Sequence, residues 1–352
     1  MMRRRHGGLL LVGTVLVLVL GGVGAGRGQE AKAAPQPLPE PLLRKLNATR
    51  YTVAAKWRPH PWPDLGWYSG GDVTVSPRGD VYVSYLGFGI QKYTSEGRFV
   101  TQWGSRGSGD GQFESALGMA VDAAGTVYVA DHLNERIQKF TPEGKFLAKW
   151  RLPGGPMPQP WDVAVSNDGI VYVPRSDQTI IQKFRTDGQF LGEWRGLGLG
   201  DMIFRTPARI ACGPTGDAYV SEHLKPGGIL RFEASGRLLT RWILEGWYKE
   251  PDRLVGGIND IAVDAAGHVY VADDLGSCVD KLTSEGQLLA TFQGTPRARG
   301  GRWVPFAIDV DREGNVCVSA FESVLPTLPS PDPYNDDIRT YVYVFRPIVS
   351  DE

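Results

Sequence analysis

The feature that most constrains this chain is a repeated frame. The run Ala120–Asp131, AVDAAGTVYVAD, returns at Ala262–Asp273 as AVDAAGHVYVAD. The IQKF of Ile137–Phe140 returns at Ile181–Phe184, and as IQKY at Ile90–Tyr93. A fixed-period repeat sets architecture before any residue is interpreted, because each unit can bury its apolar face only against a neighbour. The turn glycines ahead of the VYV-like runs are Gly79, Gly125, Gly169, Gly216, Gly267 and Gly314, spaced 46, 44, 47, 51 and 47 residues apart. Such a spacing is that of a four-stranded propeller blade.

Within a unit, alternating apolar and polar residues read as short strands separated by turns. In the second unit these are Met119–Asp122, Val127–Ala130, Ile137–Phe140 and Lys145–Trp150. The turn glycines belong where φ must be positive. The sixth unit, Ile308–Asp311, Val316–Ser319 and Tyr341–Phe345, reaches the end of the chain without an outer strand. Thr52–Trp57, TVAAKW, matches the outer strand KFLAKW of the second unit. It is therefore expected to complete the last blade and remove two sheet edges that would otherwise be exposed. The fold class is an all-β, six-bladed β-propeller closed by its N-terminal strand.

The pattern VYVAD, then N-x-R-I-Q-K-F, resembles the NHL-repeat family. It is complete at Val127–Phe140, with Asn134 and Arg136, and partial elsewhere. The resemblance covers roughly residues 51–347. It implies a six-bladed propeller that serves as an interaction module, as a sensor domain of bacterial membrane proteins, or as a lyase.

Outside the repeat, Arg3–Arg5, the apolar Leu9–Leu20 and the small residues before Gly26 have the order of a signal peptide cleaved after Ala25. Left uncleaved, the uncharged run Gly7–Ala25 could anchor the chain in a membrane. Residues 26–50 read as a linker, with four prolines in Ala31–Pro41. The propeller spans 51–348 and a short tail 349–352. The expected location is secreted or periplasmic, and the expected state monomeric. The mature chain carries 35 basic against 39 acidic residues, a formal charge of −4, which argues against a nucleic-acid partner. Cys212 and Cys317 replace strand residues in different blades, so no disulfide is expected, and Cys278 lies beside a loop.

Function in a propeller gathers where inner strands begin and second strands end. The positions at the start of the six inner strands are Asp72, Gly118, Asp162, Arg209, Asp260 and Ala307. Those after the second strands are Tyr85, Asp131, Arg175, Glu222, Asp273 and Ala320. Asp72, Asp162 and Asp260 alternate around the channel with Arg209 beside them. Two readings stand: a polar or cation site, Ca²⁺ included, since hard cations favour oxygen, or carboxylates bonded to neighbouring backbone amides. His132 and His223 occupy equivalent places beside Asp131 and Glu222.

Five tryptophans, Trp57, Trp103, Trp150, Trp194 and Trp242, share the outer-strand position and read as core. The other five, Trp62, Trp67, Trp161, Trp247 and Trp303, fall in connections expected on the functional face, with Tyr68, Tyr248 and Phe306. Aromatics on a rim are typical anchors for a partner. The insertion 321–340 is rich in proline and acid, and reads either as a partial lid or as a solvated loop.

The resemblance includes the peptidyl-hydroxyglycine amidating lyase, whose zinc is held by histidines just before the inner strands. The matching residues here are Gly71, Leu117, Trp161, Ala208, Asn259 and Phe306, none of them His. Gluconolactonase-like propellers use calcium held by Glu, Asn and Asp. Asn259 and Asp260 fit that set, but no Glu completes it. The expectation is a binding module, without cofactor, for a protein, peptide or glycan. Its ligand residues are Asp72, Asp131, His132, Trp161, Asp162, Arg209, Glu222, His223, Trp247 and Asp260. The alternative is a divalent-cation-dependent lyase or hydrolase with its site in the channel.

Overall fold

The computed structural model describes residues 50–59, 71–155, 157–175, 180–195, 207–222, 228–243, 257–274, 276–294, 302–323 and 338–348. They form six four-stranded antiparallel sheets arranged in a ring. Blade one comprises β2 (Val73–Val75), β3 (Val81–Tyr85), β4 (Gly89–Tyr93) and β5 (Phe99–Trp103). Blade two comprises β6 (Ala116–Val121), β7 (Val127–Asp131), β8 (Arg136–Phe140) and β9 (Phe146–Arg151). Blade three is β10 (Ala164–Val165), β11 (Ile170–Pro174), β12 (Ile180–Arg185) and β13 (Phe190–Arg195). Blade four is β14 (Pro207–Cys212), β15 (Ala218–Glu222), β16 (Gly228–Phe232) and β17 (Leu238–Ile243). Blade five is β18 (Ile258–Val263), β19 (Val269–Asp273), β20 (Cys278–Leu282) and β21 (Leu288–Phe292).

Blade six is assembled from both ends of the propeller. Its strand order is β1 (Arg50–Trp57), β24 (Ile338–Ile348), β23 (Val316–Ser323) and β22 (Trp303–Val310). Tyr51 pairs with Pro347 and Trp57 with Val342 across the β1–β24 ladder. The expected closing strand is thus in place.

All six turn glycines take positive φ, between 78° and 87°. A second set of glycines explains how the blades pack. Trp57, Trp103, Trp150, Trp194 and Trp242 each lie flat against the glycine of the next blade's outer turn: Gly97, Gly144, Gly188, Gly236 and Gly286. A Cβ at any of them would meet the indole ring, which is why the outer turn carries Gly and the outer strand Trp. The sixth junction lacks this pair, and there Phe292 stacks on Tyr51 of the closing strand at 4.3 Å. Inside each wedge, the tyrosine of the VYV strand (Tyr82, Tyr128, Tyr172, Tyr219 or Tyr270) is fully buried. A cation from the third strand sits over most of these rings, as Lys139 does over Tyr128 at 5.3 Å and Lys281 over Tyr270 at 5.0 Å. All three cysteines are free thiols.

Candidate functional site at the channel mouth

The inner strands begin irregularly, and this shapes the site. The inner ladder of blade two breaks register between Ala116 and Met119, that of blade four between Pro207 and Ile210, and that of blade five between Ile258 and Asp260. Blade six does the same between Pro305 and Ala307. Bulges at the rim of a sheet re-aim the extra side chains. Here they free the residues at the head of each strand from the ladder.

Asp72, Asp162, Arg209 and Asp260 are all buried, and three of them reach into the next blade. Asp72 Oδ2 accepts from the Met119 amide at 2.6 Å, Asp162 Oδ2 from Ile210 at 3.0 Å, and Asp260 Oδ2 from Ile308 at 2.8 Å. The remaining oxygens of Asp162 and Asp260 accept from Val163 and Ile261. Asp309, absent from the sequence-based set, closes blade six onto blade one by accepting from Val75 N at 2.7 Å and Thr74 Oγ1 at 2.8 Å. Arg209 joins blades four and five, donating from Nε to Asn259 O at 3.1 Å and lying 3.8 Å from Asp260. Below them lies a cavity of about 140 Å³ walled by the inner strands.

Burial dominates the titration of this group. It raises Asp260 to about 7, against the opposing charge of Arg209 and with help from Asp162. Asp72 also stands well above the usual carboxylate range, first through burial and then through Asp260. Burial opposes the charge of Arg209, but Asp260, Asp162 and Asp72 outweigh it and raise its pKa. A channel cation fits this set poorly. It would compete with backbone amides for the oxygens and stand against the guanidinium.

Asp131 and its neighbours form a closed network in blade two. Asp131 accepts from the Glu114 amide, from Asn134 Nδ2, from Arg136 Nε at 2.8 Å and from Gln138 Nε2. Arg136 in turn donates to the carbonyls of Ser108, Gly109 and Gln112. The complete NHL-like unit is therefore a device that holds the loop between blades one and two. Glu222 receives Arg241 Nη2 at 2.6 Å.

His132 and Trp161 are brought together. The His132 ring meets the Trp161 ring edge-on at 5.5 Å, and both residues are half-buried. Pro160 O lies 3.0 Å from His132 Nδ1. A carbonyl only accepts, so Nδ1 carries the proton and Nε2 presents a lone pair. Burial lowers the His132 pKa below its ordinary value. Leu117, Asn259 and Phe306 occupy the matching places in other blades and are half-buried as well, so a largely apolar collar surrounds the mouth.

Trp303 corrects the sequence expectation. It is fully buried against Tyr343 and Phe345 and pressed onto Gly294, so it is core and not a surface anchor. His223, Trp62, Trp67, Tyr68, Trp247, Tyr248 and most of the 321–340 insertion lie outside the described residues. One cluster was not foreseen. Asp273, Cys278 and Asp280 bring buried ligand atoms within 4.8 Å of one another. They are knit by their own bonds, Cys278 Sγ to Asp280 at 3.9 Å and Thr291 Oγ1 to Asp280 at 2.5 Å.

No protein-family model matches the chain, and no curated protein matches it in sequence. Solved structures do. A gluconolactonase from Xanthomonas campestris superposes with a TM-score of 0.58 at 16% identity, over 90% of this chain and 96% of that one. A catalytically inactive variant of virginiamycin B lyase from Staphylococcus aureus, with quinupristin, gives 0.55 at 16%, over 85% and 100%. The WD40 repeats of RRP9 give 0.57 at 12%, over 84% and 100%. These likenesses establish a propeller fold. At such identities they carry no activity across.

Proposed function

We propose that this protein is an exported, NHL-type binding module that takes a protein, peptide or glycan ligand on the collar at the channel mouth. The observation that carries this reading is the His132–Trp161 pair. An indole held edge-on by a histidine, itself fixed by Pro160 O, is a rigid amphipathic anchor with a neighbouring acceptor at Nε2. The channel carboxylates support the same reading from the other side, because their oxygens are engaged by backbone amides between blades. The enzymatic alternative draws on the lyase and gluconolactonase among the similar structures, and it would need a cation where Arg209 already places a positive charge.

Trp161→Ala is the direct test. On arrays of peptides and glycans, the variant should lose capture of whatever the native protein retains, by tenfold or more. Its midpoint of unfolding should stay within about 1 kcal/mol of native, as for a half-exposed side chain. A larger loss of stability would make Trp161 core and sink the reading. Stoichiometric metal in the purified protein, lost on Asp260→Asn, would favour the enzyme.

A further inference from the structure

The frame that holds blade two's loop is present in blade three without its contents. Gln138 and Gln182 occupy the same position in β8 and β12. In blade two, the Gln138 amide donates to Gln112 O and to Asp131, and its Oε1 accepts from the Gly111 amide at 3.0 Å. In blade one, Gln91 Oε1 is likewise filled, by the Tyr93 hydroxyl. In blade three, Gln182 Nε2 donates to Pro153 O at 2.8 Å and to Glu193 Oε2 at 3.2 Å. Two acceptors on the nitrogen fix which way the amide points. Gln182 Oε1 is then left buried with no donor, on a residue only 1% exposed. An unsatisfied buried acceptor of this kind costs about 1–3 kcal/mol and calls for an explanation.

The sequence accounts for the difference. Where blade two has Asp131 and Arg136, blade three has Arg175 and Ile180, so the pair that clamps the loop is absent. Beside Gln182 lies a cleft of about 320 Å³, with Gly154 and Gly155 on one wall and Phe190, Glu193 and Arg195 on another. Phe190 is 44% exposed, and Arg195 pairs with Glu193. The cleft is separate from the collar, on the far side of the Pro153–Pro160 connection.

We infer that this cleft binds an extended, glycine-containing peptide segment of a partner protein, with a main-chain N–H of that segment donating to Gln182 Oε1. The molecule supplies the precedent itself. In blade two the same position of the frame grips a glycine-rich backbone, residues 107–112, through its carbonyls and the Gly111 amide. The side-chain-free wall at Gly154 and Gly155 admits a backbone closely, and Phe190 covers one face of it.

The experiment is saturation-transfer NMR on the full chain, with the hexapeptide Gly-Ser-Gly-Asp-Gly-Gln as probe and maltohexaose as the competing class. The peptide should receive saturation with a Kd on the order of 1 mM or tighter. Gln182→Leu should weaken it at least tenfold. Phe190→Ala, at an exposed position that leaves the fold intact, should weaken it about threefold even if the Leu variant misfolds. Trp161→Ala should leave it unchanged, which separates this cleft from the collar. No transfer to the peptide, equal affinity in both cleft variants, or transfer to maltohexaose alone would overturn the inference.

Discussion

At the scale of single residues, the buried acids of the channel give the protein an unusual response to pH. Burial raises Asp260 to about 7 and Asp309 to about 6, the latter against the Val75 amide and the Thr74 hydroxyl. An unfolded chain returns both to about 3.9. The native state therefore holds more protons across that interval. The stability these groups contribute is complete below about pH 4 and is lost as pH rises through 6 to 7. Asp264, held at about 2 against burial by its bonds to His268, has the opposite sign and loses its contribution only below about pH 4. Urea unfolding should accordingly give a higher midpoint at pH 5 than at pH 8, by on the order of 2 kcal/mol. Asp260→Asn, which keeps an acceptor for Ile308 N but cannot titrate, should flatten the difference. A native midpoint that climbs steadily from pH 5 to pH 8 would refute this account. The positions of Asp72, Asp162 and Asp260 around the channel were legible from the repeat count alone. Their partners were not, since Met119, Ile210 and Ile308 lie in neighbouring blades and offer only backbone. The orphaned Gln182 did leave a signal, the exchange of Asp131 and Arg136 for Arg175 and Ile180, but its meaning depends on which loop fills the frame.

At the scale of the element, the blade's outer turn and outer strand act as one unit across each junction. The sequence displayed both halves, the recurrent Trp and the recurrent turn Gly, yet nothing in one dimension says that they touch. Trp303 shows the cost of that gap: it stands outside the outer-strand register and so resembled a surface anchor. Its place against Gly294, Tyr343 and Phe345 makes it a packing residue of the same kind, supplied from the start of β22. A substitution can weigh the contact. At Gly286, φ is +86° and a new Cβ would come within 2.6 Å of Trp242, whereas at Gly216, φ is +83° and nothing lies within 4 Å. Both alanine variants bear the left-handed strain of roughly 1–2 kcal/mol. Only Gly286→Ala adds the overpacking term of about 1–3 kcal/mol. Thermal unfolding should therefore rank native above Gly216→Ala above Gly286→Ala. Equal losses in the two variants would mean that the Trp242 ring yields freely and that this packing does not hold the junction.

At the scale of the whole molecule, stability depends on closing the ring. Each wedge packs only on its neighbours, so an open ring would present the edge of β24 and the unmatched face of blade five together. β1 answers several of these needs at once. It pairs along β24 from Arg50 to Trp57, lays Trp57 on Gly97 of blade one, stacks Tyr51 on Phe292 of blade five, and brings Lys56 within 2.6 Å of the buried Glu322. One eight-residue strand thus touches three blades. The Lys56 contact also keeps Glu322 from being a lone buried charge, whose loss of partner costs about 3–5 kcal/mol. A chain beginning at residue 58 should therefore lose its single cooperative unfolding transition and associate through the bare strand. A synthetic peptide spanning residues 50–57, added in excess, should restore part of the transition, because binding only the folded form shifts the equilibrium by mass action. The same peptide with Tyr51 and Trp57 changed to Ala should restore much less, since it keeps the ladder but loses both contacts to the flanking blades. If the shortened chain unfolds cooperatively at the native midpoint, closure by β1 is not what holds the six blades together.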